Sequence, residues 1–129
     1  MQSFRELKVW QKGHTLTLAV YQATAAFPSA ELYGMTSQMR RSAASIGANI
    51  AEGCGRDGGA DFARFLQLSM GSVSELEYHL LLARDLHLVT DEVYQPLNEQ
   101  TTEVKRMLAA LIATVRSAGP KRKKPTVVA

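Results

Sequence analysis

Three clusters of cations are the chemically distinctive groups in this chain. Arg5, Lys8 and Lys12 recur at three- and four-residue steps, so on a helix they share one face. Arg40 and Arg41 stand side by side. Lys121, Arg122, Lys123 and Lys124 form a run near the C-terminus. Guanidinium and ammonium groups in such clusters suit backbone phosphates, where they displace condensed counterions and give salt-dependent binding. Each cluster also has a plainer reading. The first can be a solvated helix face, Arg41 a structural ion pair with Glu31, Glu52 or a neighbouring subunit, and the last a solubilising tail.

Other chemistries find little support. Gly53-Cys54-Gly55-Arg56-Asp57-Gly58 spells GxGxxG. That pattern holds a dinucleotide when it follows a strand and opens a helix, and no segment here alternates like a strand. The glycines read instead as a turn, with Gly53 or Gly55 able to take a left-handed helix cap. A di-iron bundle needs Glu-x-x-His on two helices. Glu75 and His79 are four apart, Glu77 and His79 two apart, and there is no second candidate, so no metal or other cofactor is expected. Nothing in the spacing pairs Cys54 with His14, His79 or His87 as a nucleophile and base, and no GxSxG elbow occurs. The expectation is a protein without catalytic residues. His14 is expected to be a hydrogen-bonded core or interface residue.

The elements that carry these groups follow from periodicity. In 129 residues one domain is expected, able to bury roughly two-thirds of its surface. Leu, Ala, Val and Met supply most of the apolar content and aromatics only 7%, which suits helices. Leu7, Trp10, His14, Thr17, Leu18, Tyr21 and Ala25 recur on one helical face. So do Met35, Met39, Ala43, Ile46 and Ile50, then Phe62, Leu66, Ser69, Val73, Leu76, Leu80 and Ala83, and finally Val93, Leu97, Thr101, Val104, Leu108, Leu111 and Val115. Pro28, the glycine run 53–59, the stretch 87–91 and Gly119-Pro120 separate these segments, and Thr90 is placed to cap the fourth. Short connections between such segments predict an all-α, antiparallel up-down four-helix bundle over residues 4–117, followed by a flexible, disordered basic tail at 118–129.

In the second segment Ala44, Gly47, Ala48 and Ala51 make a face with almost no bulk, suited to close approach of another helix backbone. Arg41, Ser45, Asn49, Glu52 and Arg56 make a polar seam beside it. Val9, Leu16 and Val20 in the first segment, and Phe65, Leu68, Leu81, Leu82 and Leu86 in the third, lie off the main rows. Surplus apolar faces predict subunit contacts, and hence a homo-oligomer.

The net charge of +3 divides unevenly. Residues 1–119 hold 11 Lys and Arg against 12 Asp and Glu, a net of −1, so the excess sits in the tail. With one cysteine, no signal-peptide pattern and no apolar run of about 18 residues, a cytoplasmic protein without a membrane segment is expected.

The stretches FRELKVW, FPSAELYGMTSQMRRSAASIGANIAEGCGR and DFARFLQLSMGSVSELEYHL together resemble the four-helix-bundle proteins encoded by intervening sequences within 23S ribosomal RNA genes. They also resemble the related accessory protein of diversity-generating retroelements. The similarity runs from residue 4 to about 117 and is most specific from Phe27-Pro28 through Gly53. It implies an antiparallel bundle assembled as a ring, a pentamer; in the retroelement relative that ring binds nucleic acid through basic surface and partners a reverse transcriptase. The functional expectation is therefore binding of structured RNA or a ribonucleoprotein through backbone phosphates. The alternative is a scaffold that docks a partner such as a polymerase.

Overall fold

The computed structural model describes residues 3–118. Four helices make up the body: α1 (Lys8–Thr24), α2 (Ser37–Cys54), α3 (Gly59–Asp85) and α4 (Asp91–Ala118). A 3-10 turn, Phe4–Glu6, precedes α1. Among the described residues there is no strand. The residues 118–129 assigned to a tail lie, except for Ala118 at the end of α4, outside the described residues.

Local chemistry marks the helix ends. Glu31 accepts a bond from the Met35 amide at 3.3 Å and so occupies a free donor ahead of α2. Gly58, with φ 89°, opens α3. The left-handed residue is thus Gly58, at the far end of the turn, and not Gly53 or Gly55; Gly55 has φ −82° and continues the right-handed backbone of α2. At the end of α3, His87 takes φ 61° and the Leu88 amide reaches back to the Ala83 carbonyl at 2.9 Å. This is a Schellman closure built on a residue that pays a left-handed penalty of about 1 kcal/mol. Thr90 then caps α4 by accepting from the Val93 amide at 3.3 Å.

The helices pack in a closed cycle: α1 on α2, α2 on α3, α3 on α4, and α4 back on α1. Between them lies one apolar core that includes Leu7, Leu16, Ile46, Leu76 and Leu108. The predicted rows of α2 and α3 are buried throughout. In α4 the row holds from Leu97 onward, while Val93 is exposed and Tyr94 takes the inward position.

In α1 the structure reverses the expected face. Val9, Gly13, Leu16, Val20 and Thr24 point inward, whereas His14, Leu18, Tyr21 and Ala25 are exposed. Gly13 decides this choice. A methyl group added there would stand 3.1 Å from Ile46 Cγ2, so the glycine row is the one that lets α1 settle against α2. Of the predicted row only Leu7 is fully buried, with Trp10 and Thr17 half-buried along the α1–α2 seam. The hydroxyl of Thr17 donates to the Ala43 carbonyl at 3.0 Å across that seam.

The compact face of α2 also works differently from expectation. Gly47 receives the Trp10 indole, its Nε1 3.1 Å from an added methyl group, and not a helix backbone. Gly53 is the tighter site. A methyl there would lie 2.9 Å from both Phe62 Cδ1 and Phe65 Cβ of α3. Ser69, fully buried, donates to the Ile46 carbonyl at 2.9 Å and ties α3 to α2 at mid-height.

Candidate nucleic-acid interface

Where the cations fall depends on how the helices are staggered. Trp10 of α1 lies against Gly47 of α2. Gly53 of α2 lies against Phe62 and Phe65 of α3, and Arg116 of α4 bonds Gln67 of α3. These contacts gather the start of α1, the end of α2, the start of α3 and the end of α4 at one end of the molecule.

That end carries Arg5, Lys8, Arg56, Arg64 and Arg116, all exposed. Arg5 lies over the Phe4 ring at 4.7 Å. Arg56 and Arg64 lie over the Phe65 ring at 5.0 and 4.5 Å. Flat guanidinium groups on aromatic faces keep their edges free for acceptors. Two of them already have carboxylates: Arg56 pairs with Glu52 at 2.9 Å and Arg64 with Asp61 at 3.1 Å. Both pairs are exposed, so they hold their partners weakly, by about 1 kcal/mol or less. Beside them an open groove of about 480 Å³ runs between α3 and α4, lined by Ala60, Ala63, Val115, Arg64, Gln67 and Arg116. The last described residue of α4, Ala118, is at this same end, and Lys121, Arg122, Lys123 and Lys124 lie outside the described residues.

The other predicted cations are separated from this end or committed. Lys12 faces Glu103 of α4 at 3.4 Å. Arg40 donates through Nε to Thr24 Oγ1 at 2.9 Å and through Nη2 to the Tyr21 carbonyl at 3.2 Å, and it lies over the Tyr21 ring at 4.6 Å. Arg41 donates to Gln38 Oε1 at 2.7 Å and pairs with Glu75 of α3. Arg40 and Arg41 therefore join α2 to the end of α1 and to α3. Of the nine cations named from the sequence, the five within the described residues do not form one patch. Arg5 and Lys8 share an end with Arg56, Arg64 and Arg116. Arg64 and Arg116 escaped the sequence reading because they come from different helices, with no spacing signal to join them.

The polar seam is bonded chiefly within α2. Ser45 donates to the Arg41 carbonyl at 2.8 Å, Asn49 to the Ser45 carbonyl at 2.9 Å, and Glu52 pairs with Arg56. Arg41 reaches α3 through Glu75, and Arg56, just past the end of α2, reaches it through the Phe65 ring. Near Arg41, His79 lies 3.9 Å from Glu75, with its Nδ1 buried and without a partner among the described residues. Burial pushes the His79 pKa down, the Glu75 carboxylate opposes that shift, and Arg41 adds to it. His14 is exposed and stacks on Trp10 at 4.9 Å, which excludes the core half of the expectation of a core or interface residue.

Cys54 is half-buried, and burial pushes its thiol pKa up, away from the thiolate a nucleophile needs. Among the described residues no three His, Cys, Asp or Glu side chains converge as metal ligands. Among them, too, no helix is long and apolar enough to cross a membrane.

An all-helical body with Arg5, Arg56, Arg64 and Arg116 at one end places the chain among small four-helix proteins. The chain belongs to the 23S rRNA-intervening sequence protein family, whose model matches residues 5–110. It is similar to a solved structure from Bacteroides thetaiotaomicron, described as a protein with unknown function from the S23 ribosomal protein family. The two share 29% identity with a TM-score of 0.73, over 81% of this chain and 97% of the other. No curated protein matches the chain.

Proposed function

We propose that this is a non-enzymatic, cytoplasmic, homo-oligomeric protein that binds structured RNA or a ribonucleoprotein through backbone phosphates. The observation that carries the reading is the gathering of Arg5, Lys8, Arg56, Arg64 and Arg116 at the end where α4 finishes. A surface of this kind recognises phosphate spacing and not base sequence. The family's name, with its reference to 23S ribosomal RNA, agrees with an RNA ligand. The staggered contacts support an antiparallel up-down arrangement: residue numbers rise along α1 from Trp10 to Thr24 while their α2 partners fall from Gly47 to Arg40. The resemblance supports assembly as a ring, with five copies.

The test is fluorescence anisotropy with labelled RNA and DNA at two salt concentrations. Arg5→Glu combined with Arg116→Glu should weaken binding at least tenfold. Arg41→Gln, which alters the contacts to Glu75 and Gln38 away from that end, should leave affinity within about twofold. If both variants bound as the parent does, the phosphate site would not be at this end.

A second reading has its own observation. Tyr33 is 91% exposed and Leu32 49% exposed in the segment before α2, at the end away from Arg5, Arg56, Arg64 and Arg116. Two such side chains in one short connection suit docking of a protein partner, such as a polymerase. Binding of that kind would depend little on salt and would be lost in Tyr33→Ser.

A further inference from the structure

Phosphate contacts alone do not account for the groove between α3 and α4. Ala63 and Val115, 6% and 3% exposed, form its floor beside Ala60. Its volume of about 480 Å³ falls within the roughly 300–1,000 Å³ typical of small-ligand sites. The space arises because the first turns of α3 carry small side chains where they pack on α4. Elsewhere in the bundle small residues receive a large neighbour: Gly47 receives Trp10, and Gly53 receives Phe62 and Phe65. Beside Ala60 and Ala63 no side chain of the described residues fills the groove.

The edges of the groove are unlike its floor. Arg64 stands on the α3 edge and Arg116 on the α4 edge, and no carboxylate is among the lining residues. Arg64 is partly engaged, by Asp61 at 3.1 Å in an exposed pair. Arg116 has no carboxylate partner among the described residues. Its bond is to a neutral acceptor, Gln67 Oε1, at 3.3 Å. That bond ties Arg116 to the opposite edge and leaves its charge uncompensated.

A bare phosphate matches the edges but would lose hydration against alanine and valine on the floor. A bare hydrocarbon matches the floor and leaves two guanidinium groups unused. The complementary ligand is an anion joined to a flat body of low charge, as phosphate and base are joined in a nucleotide. In an A-form duplex the bases are paired and stacked, so their apolar faces are out of reach. An unpaired nucleotide can turn its base outward.

We infer that the α3–α4 groove receives the base of an unpaired RNA nucleotide, a bulge or loop residue, with its flanking phosphates held by Arg116 and Arg64. The inference rests on the phosphate-binding reading and narrows it. This end selects strandedness, through an apolar floor that accepts any base, and not duplex backbone alone.

The experiment titrates the full chain against two labelled hairpin RNAs that differ at one bulged nucleotide, intact in the first and abasic in the second. Both carry the same phosphates, so counterion release is matched. The parent should bind the intact bulge about tenfold more tightly, the effect of removing part of one base's apolar surface from water. Ala60→Leu puts bulk into the groove at an exposed position without changing charge, and should remove the preference. Ala109→Leu, at an exposed position of α4 outside the groove, should keep it. Circular dichroism checks the fold of both variants, and the comparison of the two RNAs on the parent depends on neither. Equal binding of the two RNAs by the parent would overturn the inference, leave the phosphate reading standing and give the groove to another occupant, such as a peptide segment. A preference kept by Ala60→Leu would overturn the placement of the base in this groove. A parent that binds neither RNA would overturn both readings.

Discussion

At the residue scale, the tightest point of the fold is Gly53. Its α2 backbone passes so close to Phe62 and Phe65 that an added methyl group would lie 2.9 Å from each. Phe65 Cβ is fixed by the α3 backbone, so the strain cannot be relieved by a rotamer change alone. Gly53→Ala should destabilise the protein by about 1–3 kcal/mol, read as a lower urea midpoint with an unchanged slope. The gain in helix propensity, about 1 kcal/mol, offsets only part of this. His79 makes a pH-dependent contribution at the same interface. Burial holds its folded pKa below the usual imidazole value, so the unfolded chain binds the proton more readily. The stability tied to neutral His79 is present above pH about 6.5, the ordinary imidazole pKa. It is lost as the pH falls through the lower folded value. Arg41 and Glu75 are the charged groups that face it. A urea midpoint that falls between pH 7.5 and pH 5 should fall less in His79→Gln.

At the element scale, the helices differ in how much of their placement could be read from the residues. The rows of α2 and α3 were legible because each helix has one apolar line against a polar background. Helix α1 was not, because two apolar lines run side by side along it. The larger side chains of Trp10, Leu18 and Tyr21 drew attention to the wrong one. Packing chose the line with Gly13, where the backbone can approach Ile46 most closely. Spacing along a chain reports bulk on a face but not how closely a neighbour can come. The same limit hid the basic end. Arg5 and Lys8 were visible as a local pair, but Arg64 and Arg116 belong to helices whose stagger had first to be known. The same limit applies to Arg40 and Arg41, which were legible as neighbours in sequence while their acceptors, Thr24 and Glu75, are on other helices. Helix caps, by contrast, depend on neighbours in sequence, and Thr90 was readable for that reason. Removing its hydroxyl in Thr90→Ala should cost about 1 kcal/mol, seen as a shift in thermal midpoint of several degrees for a domain this size.

At the scale of the whole molecule, charge and apolar surface are partitioned. Arg5, Arg56, Arg64 and Arg116 gather at one end, the outward residues of α1 and α3 look sideways in opposite directions, and the prominent tyrosine, Tyr33, stands at the other end, where Arg40 and Arg41 also lie. The measurement that tests this account most directly is the salt dependence of RNA binding, made with the full chain and with a form ending at Gly119. If the bundle end makes three to five phosphate contacts, the truncated form should still bind. Its plot of log affinity against log salt should have a slope of roughly −2 to −4. Loss of all binding on truncation, or an affinity indifferent to salt, would contradict a phosphate site on the bundle.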